Sequence, residues 1–360
     1  MKRILHIIGT MDRAGAETMV MNLYRELDTS SYQFDFLYFT DKNCDYDAEI
    51  GRLGGKIYRI VSPPGFARFK FVLKFLREYN HFYAIHSHTL LNSGWNVLAA
   101  YLTGHKLRIS HSHNTSNSTQ KSVKERMYYY FSKFLINTFS NRFIACGSAA
   151  ARFLFYRDKK VSILPNAVNF DDFIDRSLSR VHQRQEGEII ICQIGRFLEV
   201  KNHIFTLKLA HFLKTQGISF KILLVGDGIL LKKMEALAKD LGIDSQVDFL
   251  GLRSDIPAIL MSCDVMIMPS LFEGFPVVLV ESQVAGIPAV ISDSISSEVD
   301  LGADLIYFES LNSTFSKWAE TIVAVSSIDK KDGKHRYLLE RRGFDVKSSL
   351  SILLNLYSGV

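Results

Sequence analysis

The chain has 360 residues, of which 47% are hydrophobic and 22% charged, with a formal net charge of +6 at neutral pH. This length corresponds to about two domains, and the composition is that of a globular chain with its own core, which excludes a disordered protein. The four cysteines lie far apart with no Cys-x-x-Cys pair, which argues against a disulfide framework and a thiolate zinc site and favours the reducing cytoplasm.

Short β-rich apolar runs alternate with longer segments of helical periodicity, which is typical of an α/β chain with parallel sheets. The predicted strands of the first half are residues 4–8, 34–39, 56–60, 84–87, 107–110, 142–145 and 161–164. Those of the second half are residues 189–194, 221–225, 247–250, 265–268 and 289–291. The predicted helices between them include residues 17–27, 123–139, 204–214, 230–241 and 277–285.

Two consecutive doubly wound domains are predicted, residues 1–168 and residues 169–344. Between the two series, residues 166–188 are polar and lack a strong apolar period, so they are predicted to form the linker. The last segment, residues 345–357, is apolar at helical spacing behind Asp345, which can cap a helix. No run of about 18 apolar residues occurs, so no membrane-spanning helix is predicted.

Ligands of doubly wound domains bind at the loops that follow the strands. After the first strand, Gly15 opens a helix, which would offer backbone N–H donors to a phosphate, although a plain turn explains the loop equally well. The Gly-x-Gly-x-x-Gly fingerprint of dinucleotide-binding dehydrogenases is absent. In the second half, Arg196 and Lys201 follow Gly195 and form a pair suited to a diphosphate, or else two exposed surface charges.

The segment from Ser270 to Glu281 contains two carboxylates. Glu273 precedes Gly274 and Phe275 in a loop, and Glu281 lies in the helix that Pro276 begins. If both were helical they would stand roughly 12 Å apart, whereas the acids of glycosidases are about 5–10 Å apart. They therefore resemble separate acceptors for hydroxyls at the two ends of a sugar nucleotide; two solvated acids are the alternative.

Two His-x-His pairs end strands of the first half, His86 with His88 and His111 with His113. Either pair could bind a metal, contact substrate or form ordinary hydrogen bonds at the edge of a cleft. Carboxylates or thiolates that would complete a metal site are not clustered with them, so no metal is expected. His113 is the better substrate contact because the polar residues 114–118 follow it.

Positive charge is concentrated in one part of the chain. Residues 61–160 contain 15 Lys and Arg against three Asp and Glu, a net +12 that leaves −6 for the remainder. Aromatic residues alternate with these charges, which favours an anionic membrane surface over nucleic acid, for which no binding module is present. Solvated helix faces are the alternative.

These motifs resemble the retaining glycosyltransferases of family 4, which have the GT-B fold of two Rossmann-like domains facing a central cleft. The resemblance lies in Gly195-Arg196 with Lys201-Asn202, in Val225-Gly226-Asp227-Gly228, and in Ser270-x-x-Glu273-Gly274-Phe275-Pro276 followed by Glu281. It covers nearly the whole chain, including residues 345–360, which resemble the final helix that packs back on the first domain. Residues 111–114 also resemble members that build bacterial capsular polysaccharides and exopolysaccharides.

The resemblance implies a function and a role for each matching residue. It implies transfer of a hexose or N-acetylhexosamine from a nucleotide diphosphate sugar, such as a UDP-sugar, to a glycan or lipid-diphosphate-linked acceptor. No cofactor or metal would be needed. Together with the basic segment of residues 61–160, the resemblance predicts a cytoplasmic enzyme at the inner face of the cell membrane. The resemblance implies that Arg196, Lys201 and the backbone of Gly15 contact the diphosphate. Glu281 would contact the ribose, Glu273 and His113 the transferred sugar, and the backbone of Leu250 to Arg253 the base. Gly195, Gly274 and Phe275 would also belong to the donor-binding site.

Two other functions are compatible with the same residues. A nucleotide-sugar epimerase of the same fold would convert the donor without an acceptor. A glycan-binding subunit would be non-catalytic, although the presence of Arg196, Lys201, Glu273 and Glu281 argues against it. The sequence does not specify the sugar, the base or the acceptor.

Overall fold

A computed structural model describes residues 1–113, 122–174, 184–328 and 334–358 of the chain. Backbone contacts divide the chain into two compact units, one formed by Met1–Val168 with Gly343–Val360 and the other by Asn169–Arg342. The domain ranges expected from the sequence differ from these units at the second boundary, because residues 343 and 344 group with the first unit.

The first unit contains a seven-stranded parallel sheet. Its strands are β1 (Lys2–Ile7), β2 (Tyr32–Tyr38), β3 (Ile57–Arg59), β4 (Ala84–Ser87), β5 (Leu107–Ser112), β6 (Arg142–Ala145) and β7 (Val161–Ile163). The order across the sheet is β3-β2-β1-β4-β5-β6-β7, so it reverses between β1 and β4. The accompanying helices are α1 (Gly15–Glu26), α2 (Asp47–Arg52), α3 (Phe66–Glu78), α4 (Ser93–Leu102), α5 (Val123–Phe139) and α6 (Ser148–Leu154).

Both faces of this sheet are buried. Along β1, Ile4 belongs to one apolar core, while Leu5 and Ile7 belong to a second core that Val72 and Leu76 of α3 complete. Alternate residues of a strand point to opposite faces, so a strand covered on both sides is apolar throughout. This explains why the strands appear in the sequence as continuous apolar runs.

The second unit contains a six-stranded parallel sheet. Its strands are β8 (Ile189–Ile194), β9 (Phe220–Val225), β10 (Val247–Gly251), β11 (Val265–Met268), β12 (Ala289–Ser292) and β13 (Ile306–Glu309), in the order β10-β9-β8-β11-β12-β13. The accompanying helices are α7 (His203–Thr215), α8 (Leu231–Asp240), α9 (Ile256–Ser262), α10 (Val277–Val284), α11 (Phe315–Ser326) and α12 (Lys334–Arg341). The sequence did not predict β13, an edge strand that is only partly buried and therefore lacks a long apolar run.

The final helix, α13 (Val346–Ser358), packs against α1 within the first unit. Its apolar residues join the core beside β1. The predicted cap is confirmed, because the Oδ2 atom of Asp345 accepts a hydrogen bond from the backbone N–H of Lys347 at 3.0 Å. The predicted start of the linker was wrong: Ala167 and Val168 are buried, and Val168 forms a parallel bridge with Asp345. Residues 175–183 of that linker lie outside the described residues.

Candidate active site

The strand order of the second unit reverses between β8 and β11, which are hydrogen-bonded neighbours. Such a reversal leaves a crevice outside the carboxyl ends of the strands, and ligands of doubly wound sheets bind there. The loop after β8 carries Gly195, Arg196 and Lys201, and the loop after β11 carries Glu273 and Gly274. The topology therefore brings together residues that lie more than 70 positions apart in the chain.

Lys201 and Glu273 form an ion pair at this position. The Nζ atom of Lys201 donates to the Oε1 atom of Glu273 at 2.5 Å, and the two side chains are 19% and 11% exposed. The hydroxyl of Ser270, which is fully buried, donates to the same oxygen at 2.7 Å. Hydrogen bonds to an ionised group are stronger than those between neutral groups, so the carboxylate has a fixed position.

Side-chain hydrogen bonds hold the backbone at Lys201 and Asn202 in place. Asn202 adopts the left-handed conformation, with a φ angle of +55°, and the Nδ2 atom of its side chain donates to the carbonyl of Pro269 at 3.0 Å. The side chain of Gln193 donates to the carbonyl of Lys201 at 2.8 Å and accepts from the hydroxyl of Thr206 at 2.6 Å. The Asn202–Pro269 bond connects the two loops, and the Gln193 bond holds the backbone of Lys201, so together they pre-organise its ammonium group.

The turn after β9 packs directly on the loop after β8. A Cβ atom at Gly226 would lie 2.2 Å from the carbonyl oxygen of Gly195, and one at Gly228 would lie 2.6 Å from that of Phe197. Only glycine allows such an approach of two backbones. Arg196 lies in the same loop, and its side chain is exposed.

The remaining predicted residues of the second unit lie at two other places. Glu281 is in α10, where burial and, to a smaller degree, the nearby Asp172 raise its pKa to about 7. Leu250 lies in β10, and Arg253 after it pairs with Asp255 through two hydrogen bonds of 2.8 and 2.5 Å. Within the part of the chain that the structure describes, the Lys201–Glu273 pair has no hydrogen bond or ion pair to Glu281. Phe275 is buried between the loop and the start of α10.

The first unit holds the other two predicted residues. Gly15 is the first residue of α1 and is exposed. His113 directly follows β5, its ring stacks on that of His111 at a centroid distance of 3.9 Å, and burial lowers its pKa to about 3. The polar loop that the sequence analysis placed after His113 lies outside the described residues.

The sequence analysis missed several residues that position Lys201 and Glu273, and one histidine of the first unit. Ser270, Gln193 and Asn202 were not assigned roles, although the position of Ser270 three residues before Glu273 could have suggested a local hydrogen bond. His6 was also missed, although it lies in β1 at the position opposite His86 in β4. His6 could have been noticed as the single polar residue within the apolar run of residues 4–8, where its side chain is buried.

Two family models match this sequence. The model "Glycosyltransferase Family 4" matches residues 13–172, and the model "Glycosyl transferases group 1" matches residues 175–304. The protein named "Putative glycosyltransferase EpsF" of Bacillus subtilis (strain 168) is 40% identical over 372 residues, covering 99% of this chain and 96% of EpsF. The chain belongs to the family 4 glycosyltransferases.

Other relatives agree with this assignment. The capsular polysaccharide biosynthesis glycosyltransferase CapH of Staphylococcus aureus is 25% identical over 367 residues, covering 99% of each chain. A UDP-Gal:α-D-GlcNAc-diphosphoundecaprenol α-1,3-galactosyltransferase of Escherichia coli is 23% identical over 221 residues, or 58% of this chain and 57% of that enzyme. This glycosyltransferase is thus related to enzymes of polysaccharide biosynthesis.

The fold of the glycosyltransferase is GT-B. The crystal structure of Anabaena HepE in complex with UDP and glucose matches it with a TM-score of 0.80 at 18% identity, covering 100% of both chains. The predicted fold class is thereby confirmed. No helix in the described residues is both long and apolar enough to span a membrane.

Proposed function

We propose that this glycosyltransferase transfers a hexose or an N-acetylhexosamine from a UDP-sugar to a glycan or lipid-diphosphate-linked acceptor, with retention of the anomeric configuration. The observation that carries the proposal is the Lys201–Glu273 ion pair of 2.5 Å at the strand-order reversal of the second unit. The names of the relatives support the substrates, because HepE was crystallised with UDP and glucose, and the E. coli enzyme uses UDP-Gal and a diphosphoundecaprenol-linked acceptor.

The two cations suit the diphosphate. An ammonium group has three N–H donors, and Lys201 uses one of them on Glu273, so two remain for phosphate oxygens. Arg196, in the same loop, is exposed and adds a planar set of donors. Because these side chains supply fixed positive charge, we propose that transfer requires neither a metal nor another cofactor.

Glu273 suits the transferred sugar. Lys201 and Ser270 both donate to its Oε1 atom, which leaves Oε2 to accept a hydrogen bond from a sugar hydroxyl. At the other end of the donor, Glu281 would accept from the ribose hydroxyls, and the backbone of Leu250 to Arg253 would contact the base. Gly15 and His113 would contribute from the first unit, at the diphosphate and at the sugar.

Transfer breaks the bond between the anomeric carbon and the diphosphate oxygen, and negative charge develops on the leaving group. Arg196 and Lys201 stabilise that charge as it forms. The acceptor hydroxyl attacks the anomeric carbon from the face that the diphosphate leaves, and its proton passes to a diphosphate oxygen. Oxygen replaces oxygen on the same face, so the configuration is retained and the products are a glycoside and UDP.

The roles of the cations can be tested by substitution. Arg196→Ala and Lys201→Ala should each lower turnover about 100-fold, the effect of losing one pre-organised donor to a developing charge. Lys208→Ala, which removes an exposed lysine from α7, is the matched control and should leave turnover unchanged. If both variants transfer sugar at the normal rate, the diphosphate assignment is wrong.

Three further measurements test the finer parts of the proposal. Nuclear magnetic resonance of the product should show the anomeric configuration of the donor; the opposite configuration would reject retention. Activity should persist in excess chelator, and a loss restored by a divalent ion would reject metal-free transfer. Donor incubated without acceptor should not be converted to an epimer, which an epimerase would produce.

The surface of the first unit supports a membrane-associated enzyme. On α5, Val123, Met127, Tyr130 and Phe134 are 52–73% exposed and recur at helical spacing, so they form one apolar stripe facing solvent. Exposed Lys and Arg side chains accompany them on α3 and α5, namely Lys70, Lys124 and Arg126. An apolar stripe flanked by basic residues binds anionic lipid surfaces. We propose that α5 lies on the anionic cytoplasmic face of the membrane.

Vesicle sedimentation tests this surface. The protein should sediment with phosphatidylglycerol vesicles more than with phosphatidylcholine vesicles, and less as salt rises. The double variant Met127→Glu with Tyr130→Glu should lose this binding, whereas Tyr337→Glu, at an equally exposed aromatic residue of the second unit, should retain it. Equal sedimentation of the wild type and the double variant would reject the α5 surface.

A further inference from the structure

Arg68, at the start of α3, is a partly buried cation without an acidic partner. The Cζ atom of its guanidinium group lies 4.0 Å from the ring centroid of Phe39, and its Nη2 atom donates to the backbone carbonyl of Ser62 at 2.8 Å. None of the ion pairs in the described residues includes Arg68. Burial lowers the pKa of Arg68, and the phenol of Tyr128, rather than a carboxylate, partly offsets this effect. Arginine remains charged in proteins, so this positive charge is not neutralised by an acid of the described chain.

Three buried hydrogen-bond donors near Arg68 lack acceptors. They are the Nε atom of Arg68 itself, the hydroxyl of Ser62 and the indole Nε1 atom of Trp95, and none of them has a hydrogen-bond partner among the described residues. The Trp95 ring packs against Phe66 and Phe69, which flank Arg68 on α3, at centroid distances of 6.0 and 5.5 Å. Buried donors without acceptors are rare and costly. Three of them beside an unpaired cation indicate a ligand with acceptor oxygens and negative charge.

These residues lie at the edge of the sheet where ligands of doubly wound domains bind. Helices α3, α4 and α5 follow β3, β4 and β5, so each helix begins at the edge where its strand ends. Arg68 and Trp95 are in the first turns of α3 and α4, and Tyr128 is in the second turn of α5. The hydroxyl of Tyr128 donates to the Oδ1 atom of Asn92, just before α4, at 2.6 Å. The topology thus brings the starts of three helices to this edge.

Exposed aromatic rings border the same place. Phe66 and Phe131 are 56% and 46% exposed, and both pack against Trp95, at centroid distances of 6.0 and 5.4 Å. Phe131 belongs to α5, the helix whose apolar stripe we propose to contact the membrane. The Nζ atom of Lys70 lies 4.9 Å from the ring centroid of Phe66 and adds a second cation. An unpaired guanidinium beside exposed aromatic rings suits a ligand that has an anionic group attached to an apolar chain.

We propose that Arg68 binds the diphosphate of a lipid-linked acceptor, whose apolar chain lies along Phe66 and Phe131. This inference rests on the proposed function, in which the acceptor is a lipid diphosphate. A guanidinium group has five N–H donors in a planar fork that matches phosphate oxygens, and Arg68 uses only one nitrogen on the protein backbone. Arg196 and Lys201 belong to the second unit, so donor and acceptor diphosphates would each have their own cations.

Calorimetry with farnesyl diphosphate, a short lipid diphosphate, tests this assignment. Saturating UDP should be present so that the donor site is occupied. The wild type should bind, and Arg68→Ala should bind roughly ten- to a hundredfold more weakly, the effect of losing a charged hydrogen bond. Arg68→Lys keeps the charge and should bind more tightly than Arg68→Ala. Arg77→Ala, at an exposed position near the other end of α3, is the matched control and should bind as the wild type does. Equal affinity of the wild type and Arg68→Ala, or no binding by the wild type, would overturn the proposal.

Inorganic diphosphate tests the part of the proposal that concerns the lipid chain. It should bind more weakly than farnesyl diphosphate, because it makes no contact with the aromatic rings. Phe66→Ala should weaken the binding of farnesyl diphosphate and leave that of inorganic diphosphate unchanged. Equal affinity of the wild type for the two compounds would identify a site for free diphosphate and reject a lipid-linked ligand.

The affinity for UDP separates this inference from the proposed function. Arg68→Ala should bind UDP, in the absence of farnesyl diphosphate, as tightly as the wild type does, whereas Lys201→Ala should lose affinity for UDP and keep it for farnesyl diphosphate. Weaker binding of UDP by Arg68→Ala would show that Arg68 serves the donor site or the fold, and would contradict the proposal. If the wild type transferred no sugar from any nucleotide donor, the proposed function would fail while the binding result for Arg68 would stand.

Discussion

Replacing Glu281 with Gln should stabilise the protein at pH 8 and leave its stability nearly unchanged at pH 4. Burial, with a smaller contribution from Asp172, raises the pKa of Glu281 from 4.5 to about 7. Between these values the folded chain binds more protons than the unfolded chain, so stability falls as the pH rises from 4.5 to 7. This difference in pKa corresponds to about 3 kcal/mol. Glutamine is neutral throughout, so the gain from Glu281→Gln should appear above pH 7 and vanish below pH 4.5.

Tryptophan fluorescence can follow this effect in the full-length protein. Trp318 is buried in the core of the second unit, which contains Glu281, and Trp95 lies in the first unit. A Trp95→Phe background therefore reports urea unfolding of the second unit alone. Glu235→Gln, at an exposed position of α8, is the matched control and should show no such dependence on pH. An equal effect of Glu281→Gln at pH 5 and pH 8 would refute the raised pKa of Glu281.

Three further predictions concern the loops at the strand-order reversal. Ser270→Ala removes one of the two donors to Glu273 and should lower kcat/KM by about tenfold, as measured by UDP release. Glu273→Gln should weaken the binding of UDP, which carries no sugar, several-fold in calorimetry, because Lys201 loses its charged partner. Gly226→Ala would place a Cβ atom 2.2 Å from a backbone oxygen and should abolish UDP binding, whereas Gly51→Ala, with no atom within 4 Å, should not.

Segments whose structure follows from local sequence were predicted well. The helix expected at residues 123–139 has those bounds in the structure, and a capping box between Ser122 and Glu125 explains where it begins. The edge strand β13 was missed because its burial is partial, so no apolar run distinguishes it from a loop. Residues 166–168 were assigned to a linker although Ala167 and Val168 are buried against the end of the chain. Their burial depends on a partner almost 180 positions away, which a local pattern does not contain.

In the candidate site, too, contacts between residues far apart in the chain could not be predicted from local sequence. Lys201 and Glu273 could be recognised as candidate site residues from their motifs. Their ion pair could not be predicted, because it depends on β8 and β11 being neighbours, and that follows from the strand order of the whole sheet. Once that order is known, proximity of the two loops is a consequence of parallel strands ending at one edge. Ser270, Gln193 and Asn202 gain their roles only through this proximity, because each forms hydrogen bonds at or beside the pair.

The two sheets place different chemistry at equivalent positions. In the second unit the strand order reverses between β8 and β11, and the loops there carry Arg196, Lys201 and Glu273. In the first unit it reverses between β1 and β4, where Gly15 follows β1 and the uncharged His88 follows β4. A diphosphate requires cations, whereas a sugar hydroxyl is bound by neutral donors without added charge. The two strand-order reversals thus differ in character: the one in the second unit carries charged side chains, whereas the one in the first unit carries a glycine and an uncharged imidazole.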